Sequence, residues 1–88
     1  MDFDFLLDEY RTLWNNRALK PVESSEKTLL EAIERELLDE NSHPRIRKGI
    51  HQKFFLASKR ITESTTISNE VKLSLLSLHI QVLEQLKE

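Results

Sequence analysis

The chain has 88 residues, a formal net charge of −2 and 39% hydrophobic residues, which is sufficient for one small domain spanning residues 1–88. It contains no cysteine, which excludes disulfides, thiolate metal sites and a cysteine nucleophile. Its single glycine, Gly49, cannot form a phosphate-binding P-loop or a dinucleotide-binding turn, because both need clustered glycines. With so little glycine and only two prolines, the composition favours an all-α fold.

The distribution of charge is more informative than its sum. Residues 1–42 hold 11 acids and 5 bases, whereas residues 43–60 hold 6 bases and no acid. A purely basic block after an acidic half indicates either internal ion pairing or a dedicated surface. The slightly negative total argues against a nucleic-acid partner. No apolar stretch approaches the roughly 18 residues that span a bilayer, and the acidic start does not resemble a signal peptide, so we expect a cytoplasmic protein.

Apolar residues at helical spacing predict a first helix from about Asp2 to Asn16. Trp14 lies on the apolar stripe and is expected in the core, whereas Phe5 lies off it and is expected to be exposed. Residues 17–23 are predicted to form a connection. A serine N-cap at position 24 or 25 begins a second helix, which is predicted to end near Glu40.

A third helix is predicted to start near Pro44, which suits a first-turn position. Its inward stripe is expected to contain Ile46, Ile50, Phe54, Ala57 and Ile61. At 100° per residue, one opposite face would carry Arg45, Lys48, Gln52, Phe55 and Lys59. An exposed phenylalanine among three cations is typical of a docking surface for an anionic or lipid-adjacent partner. Alternatively, Phe55 tucks under a loop, or the bases pair with the acidic second helix.

A fourth helix is predicted from an N-cap at Ser68 nearly to Glu88, with Ile67 plugging into the core before it. Its apolar set is wide. Leu78 and Val71 lie off the main stripe, which makes them candidates for a partner surface or a dimer contact. Four helices with short connections predict an antiparallel up-down four-helix bundle, present as a monomer or weak dimer.

No pattern in the sequence is typical of catalysis or of metal binding. His43 precedes a proline in a capping position, His51 is expected to be exposed or at a boundary, and His79 is expected in the core. The histidines lack metal-ligand spacing, and the acidic residues fall mainly on outward helix positions. We therefore expect no cofactor, no metal and no enzymatic activity.

The order of elements resembles a known family of small bundles. The resemblance runs through Phe-Leu-Leu-Asp-Glu-Tyr-Arg-Thr-Leu-Trp (5–14), Leu-Leu-Glu-Ala-Ile-Glu-Arg-Glu-Leu-Leu (29–38) and a proline-led third helix with Ile46, Ile50 and Phe54. It continues with Arg-Ile-Thr-Glu-Ser-Thr-Thr-Ile-Ser-Asn-Glu (60–70) before the last helix, which carries Leu75, Leu76 and Ile80. In these features the chain is similar to the immunity proteins against pediocin-like (class IIa) bacteriocins, in particular the enterocin A immunity group.

The resemblance implies a cytoplasmic four-helix bundle that protects its producer from a pore-forming peptide. Such proteins act at the membrane-embedded mannose phosphotransferase permease that serves as the peptide's receptor. Carried onto this chain, the candidate contacts are Arg45, Lys48, Phe55, Lys59 and Leu78, with peripheral contact to the membrane. Two other hypotheses remain open: a small helical regulator or adaptor of a soluble protein, and a nucleic-acid binder that uses the third helix.

Overall fold

A computed structural model describes residues 2–14, 24–40 and 42–86 of the chain, with the side chain of Trp14 excepted. Helix α1 spans Phe3–Trp14, α2 spans Ser25–Leu37, α3 spans Ile50–Glu63 and α4 spans Asn69–Leu86, with a short 3₁₀ helix at Pro44–Ile46. The predictions for the Trp14 side chain, for a helix stop at positions 15–16 and for the 17–23 connection lie outside the described residues.

The four helices form the predicted all-α bundle. Helices α2 and α4 pack together, and α1 and α3 each pack against both of them. An ion pair between Lys53 and Glu36 joins the start of α3 to the end of α2. The Lys72 ammonium donates to the Thr62 carbonyl at 3.1 Å, which joins the start of α4 to the end of α3. The end of α2 thus meets the start of α3, and the end of α3 meets the start of α4, while the Ser25 hydroxyl donates to Asp4 and brings the first turns of α1 and α2 together.

Short polar side chains cap the starts of α1, α2 and α4. The Ser24 hydroxyl accepts the Lys27 amide at 3.1 Å, and the Ser68 hydroxyl accepts the amide of Val71 at 3.2 Å. The Asp2 carboxylate accepts the amide of Phe5 at the start of α1. These contacts satisfy amides in the first turn that have no partner within the helix, and the Asp2 carboxylate also lies at the positive end of the α1 dipole.

One hydrophobic core holds the helices together, and each described α-helix contributes to it. Its buried members are Leu6, Leu7, Tyr10, Leu29, Ile33, Leu37, Ile61, Ile67, Val71, Leu75, Leu78 and Val82. Ile67 is 7% exposed, which confirms that the residue before the Ser68 cap plugs into the core. Within the described part of the chain, no helix is long and apolar enough to cross a membrane.

The prediction that the third helix starts near Pro44 is wrong. Only a 3₁₀ turn forms at Pro44–Ile46, the chain then becomes extended, and α3 begins at Ile50 after Gly49. The reason is a competing hydrogen bond: the Lys48 amide donates to the Asp39 carboxylate at 2.9 Å instead of to a carbonyl one turn earlier. Ile46, expected on the inward stripe, is therefore 71% exposed.

The end of α2 sets up this arrangement. Asp39 follows the helix with a φ of 53°, the left-handed conformation that commonly terminates helices. Its amide bonds to the Glu36 carbonyl, and the amide of Glu40 bonds to the Arg35 carbonyl, which is the Schellman pattern. The helix thus ends at Leu37 rather than at Glu40 as predicted, and Asp39 is turned toward the segment that follows.

Two predicted surface residues of α4 belong to the core. Leu78 and Val71 are each 4% exposed, so the prediction that they lie on a surface available to a partner is wrong. Helix α4 packs against all three other helices, and the buried part of its circumference is therefore wide enough to include both residues.

Candidate functional site

The exposed aromatic residue of α3, Phe55, remains a candidate contact for a partner. Phe55 is 62% exposed although it lies in the middle of a well-formed helix. Lys59 lies one turn further along α3 and is also exposed. Among the residues that the structure describes, no carboxylate lies within ion-pairing distance of Lys59. The pair presents an apolar ring and a free cation on one side of the bundle, as predicted.

The other two predicted cations of this face lie elsewhere. Arg45 belongs to the 3₁₀ turn and Lys48 to the extended segment before α3, so neither has a helical register with Phe55. Both are exposed. The predicted five-residue surface is therefore wrong as a single face. Gln52, Phe55 and Lys59 are exposed on α3, whereas Arg45 and Lys48 lie in the separate segment His43–Gly49, called the basic loop.

A polar cluster beside this loop ties the end of α2 to α3. The Lys53 ammonium lies 2.9 Å from a Glu36 oxygen and 3.6 Å from an Asp39 oxygen, with all three side chains less than 20% exposed. Asp39 also accepts the Ser42 hydroxyl at 3.0 Å. The hydrogen bond from the Lys48 amide is the largest of the effects that hold the pKa of Asp39 below its usual range. The Ser42 hydroxyl and the charges of Lys53 and Lys48 act in the same direction. One base of the block at residues 43–60, Lys53, thus forms internal ion pairs.

We expect replacement of Lys53 by methionine to destabilise the fold by about 2 kcal/mol, between the values for exposed and fully buried ion pairs. The change leaves two poorly hydrated carboxylates, Glu36 and Asp39, without their cation. Urea unfolding measures the loss. Arg35→Met is the matched control, because the Arg35–Glu40 pair is 3.9 Å long and well exposed. Equal stability of the two variants would show that the cluster contributes nothing special.

A groove of about 660 Å³ lies beside α3. Thr12 and Leu13 of α1 form one wall, and Leu56 and Lys59 of α3 form another, with the Glu36–Lys53 pair also lining it. Lys59 therefore lines the groove and also lies one turn from Phe55 on α3. The groove is open and its lining mixes acids, bases and apolar groups, so its chemistry selects no particular ligand.

Helix α4 carries an exposed apolar stripe that the sequence analysis did not single out. Leu73 is 68% exposed and Ile80 is 46% exposed, seven positions apart on one side of the helix. In the sequence, Leu73 and Ile80 form a second series of apolar residues at helical spacing in α4, but this series resembles a continuation of the stripe that faces the core.

The buried histidine is in the core, as predicted. His79 is 0% exposed, its Nδ1–H donates to the Leu75 carbonyl at 2.6 Å, and its Nε2 has no hydrogen-bond partner among the described residues. Its ring lies 6.3 Å from that of Tyr10. Burial lowers the pKa of His79, against smaller opposing effects of the Leu75 carbonyl and Glu36. Burial, followed by the charge of Glu36, raises the pKa of Tyr10.

The chain is similar to a protein of Bacillus subtilis (strain 168) described as uncharacterized protein YoyC. The two are 41% identical over 83 residues, which cover 94% of this chain and 87% of the relative. No solved structure matches the chain. The model of the YoyC family matches residues 1–88, and the chain therefore belongs to the YoyC family.

Proposed function

We propose that this chain acts by stoichiometric binding of a protein partner, without catalytic turnover, and that Phe55 on α3 is the centre of the contact. The observation that carries the proposal is the 62% exposure of Phe55 in a helix whose other aromatic residue, Phe54, packs against the core. Lys59, one turn further along α3, extends the contact with a cation. Exposed aromatic residues in such surroundings are typical of the few residues that dominate binding energy.

The specific form that we favour is immunity to a pore-forming bacteriocin, exerted from the cytoplasm. The partner would be the mannose phosphotransferase permease with its bound pediocin-like peptide. The four-helix bundle and the exposed Phe55–Lys59 pair support this form, since they fit the architecture and the type of surface that the resemblance implies. A small regulator or adaptor of a soluble protein is the second candidate, supported by the exposed apolar stripe of α4.

Expression in a sensitive lactic-acid bacterium tests the immunity form directly. We expect the wild-type chain to shift the growth-inhibition curve to higher peptide concentration for one or two members of a pediocin-like panel. Phe55→Ala should remove this protection, because losing a central aromatic contact costs about 2 kcal/mol or more, roughly thirtyfold in affinity. Phe5→Ala is the matched control, because Phe5 is 50% exposed on α1, away from the proposed contact.

Both phenylalanine variants should keep the circular dichroism spectrum and thermal unfolding of the wild type. Full protection by Phe55→Ala would contradict the proposed contact. If Phe55→Ala unfolds while Phe5→Ala does not, Phe55 is a packing residue instead. If the folded wild type protects against no peptide in the panel, the immunity form fails and the soluble-partner form takes its place.

A further inference from the structure

The basic loop, His43–Gly49, lies on the surface before α3. Every residue in it is exposed. Ile46 is the most exposed large hydrophobic residue that the structure describes, and a side chain at Gly49 would meet nothing within 4 Å. An apolar side chain on a fully exposed loop is isolated from the core and contributes nothing to folding. Packing in the core therefore does not explain why position 46 is apolar.

Cations surround this apolar tip. Arg45 and Lys48 flank Ile46, and neither forms an ion pair with any residue in the described part of the chain. Arg47 donates to the carbonyls of Ser42 and Glu40, so its charge is also not cancelled by a carboxylate. The loop thus keeps three positive charges around one projecting isoleucine.

The nearest acids offset the charge of the loop only in part, because they also pair with cations outside it, although the charge of Lys48 acts on Asp39. Asp39 and Glu36 share Lys53, and Glu40 lies 3.9 Å from Arg35. The Asp39 carboxylate serves the loop in a different way, since it accepts the amide of Lys48 and fixes the backbone there. The His43 ring likewise accepts the Arg45 amide at 3.2 Å. The charged tip is therefore held in a defined shape before any partner arrives, which lowers the entropic cost of binding.

We propose that the basic loop docks on an anionic phospholipid surface, with Ile46 entering the headgroup region and Arg45, Arg47 and Lys48 contacting lipid phosphates. Charge complementarity selects this occupant, since anionic headgroups attract basic segments and an apolar side chain gains from the adjacent acyl boundary. A convex tip with one apolar residue also lacks the packed, water-excluding surroundings of a protein hot spot. One loop alone gives weak, reversible attachment to a membrane. Stable attachment needs a second contact, such as the one that we propose for the separate Phe55 surface.

Sedimentation with lipid vesicles tests the proposal. The wild type is expected to partition onto phosphatidylcholine vesicles that contain phosphatidylglycerol, and to dissociate as salt is added. Arg45→Gln and Lys48→Gln should each lower the partition coefficient about fivefold, and Ile46→Ser about tenfold. Lys27→Gln on α2 and Leu73→Ser on α4 are the matched controls for charge and apolar loss, and Phe55→Ala should bind vesicles like the wild type.

A position-specific readout is available because the chain has no cysteine of its own. An environment-sensitive dye attached through Ile46→Cys should shift to shorter wavelength on the anionic vesicles, whereas the same dye attached through Leu73→Cys should not. Absence of anionic-lipid binding by the wild type would overturn the proposal. So would vesicle binding that Ile46→Ser leaves unchanged, or that Lys27→Gln reduces as much as Lys48→Gln. If the loop variants bind vesicles like the wild type but lose affinity for an acidic protein, the partner of the loop is an acidic protein instead of a lipid surface.

Discussion

Replacing Leu78 with alanine is expected to lower the free energy of unfolding by about 2–4 kcal/mol. The side chain is 4% exposed and belongs to the single core beneath α4, so truncation removes buried methyl groups and leaves a cavity that the neighbouring helices can fill only in part. For a domain of this size such a loss is a large fraction of the total stability. Urea unfolding at neutral pH measures it.

Leu73→Ala is the matched control for this prediction. It makes the same chemical change on the same helix, but at a residue that is 68% exposed, and its cost should stay within about 0.5 kcal/mol. A Leu78 variant that is no less stable than the Leu73 variant would place Leu78 on the surface. It would then restore Leu78 as a candidate partner contact.

The stability of the bundle is expected to fall as the pH drops below about 6.5, through His79. Burial lowers the pKa of His79 in the folded state, so the unfolded chain takes up this proton at a higher pH than the folded chain. The stabilisation is complete above the unfolded pKa and is lost as the pH falls toward the folded pKa. The loss can reach about 1.4 kcal/mol per pH unit over that interval. Glu36 and Tyr10 are the titratable groups facing His79, and the charge of Glu36 moderates the effect.

Urea unfolding at pH 7.5 and pH 5.5 separates this contribution from those of the other histidines. His79→Leu should flatten the dependence of stability on pH, because it removes the buried proton acceptor and its unpaired Nε2. His51→Gln, at an exposed position on α3, should retain the wild-type dependence. If His79→Leu changes with pH as steeply as the wild type, another group carries the effect.

The helices could be predicted from the sequence where one physical signal dominates. The serine caps at positions 24 and 68, the apolar stripe of α1 and the buried position of His79 all follow from local patterns. These features depend on neighbours within one or two turns, which the sequence displays directly. The exposure of Phe55 also follows, since it lies opposite the residues of α3 that reach the core.

The start of α3 could not be predicted in this way, because a contact across the loop decides it. Proline at a first-turn position favours the start of a helix. Here the Lys48 amide instead donates to the carboxylate of Asp39, nine positions earlier in the sequence. Helix α4 shows a different difficulty. It carries two overlapping apolar series, one through Leu75 and Leu78 and one through Leu73 and Ile80, and periodicity does not say which is inward.

Site-specific photo-crosslinking in the living host tests the central claim, binding through the α3 surface, most directly. A photoreactive aromatic residue would replace Phe55 in one variant and Glu31, exposed on α2, in another. The account predicts one crosslinked product of defined mass from position 55, containing one copy of this chain per partner, and no such product from position 31. Identical products from both positions, or no product from position 55 in cells where the folded chain is abundant, would contradict it.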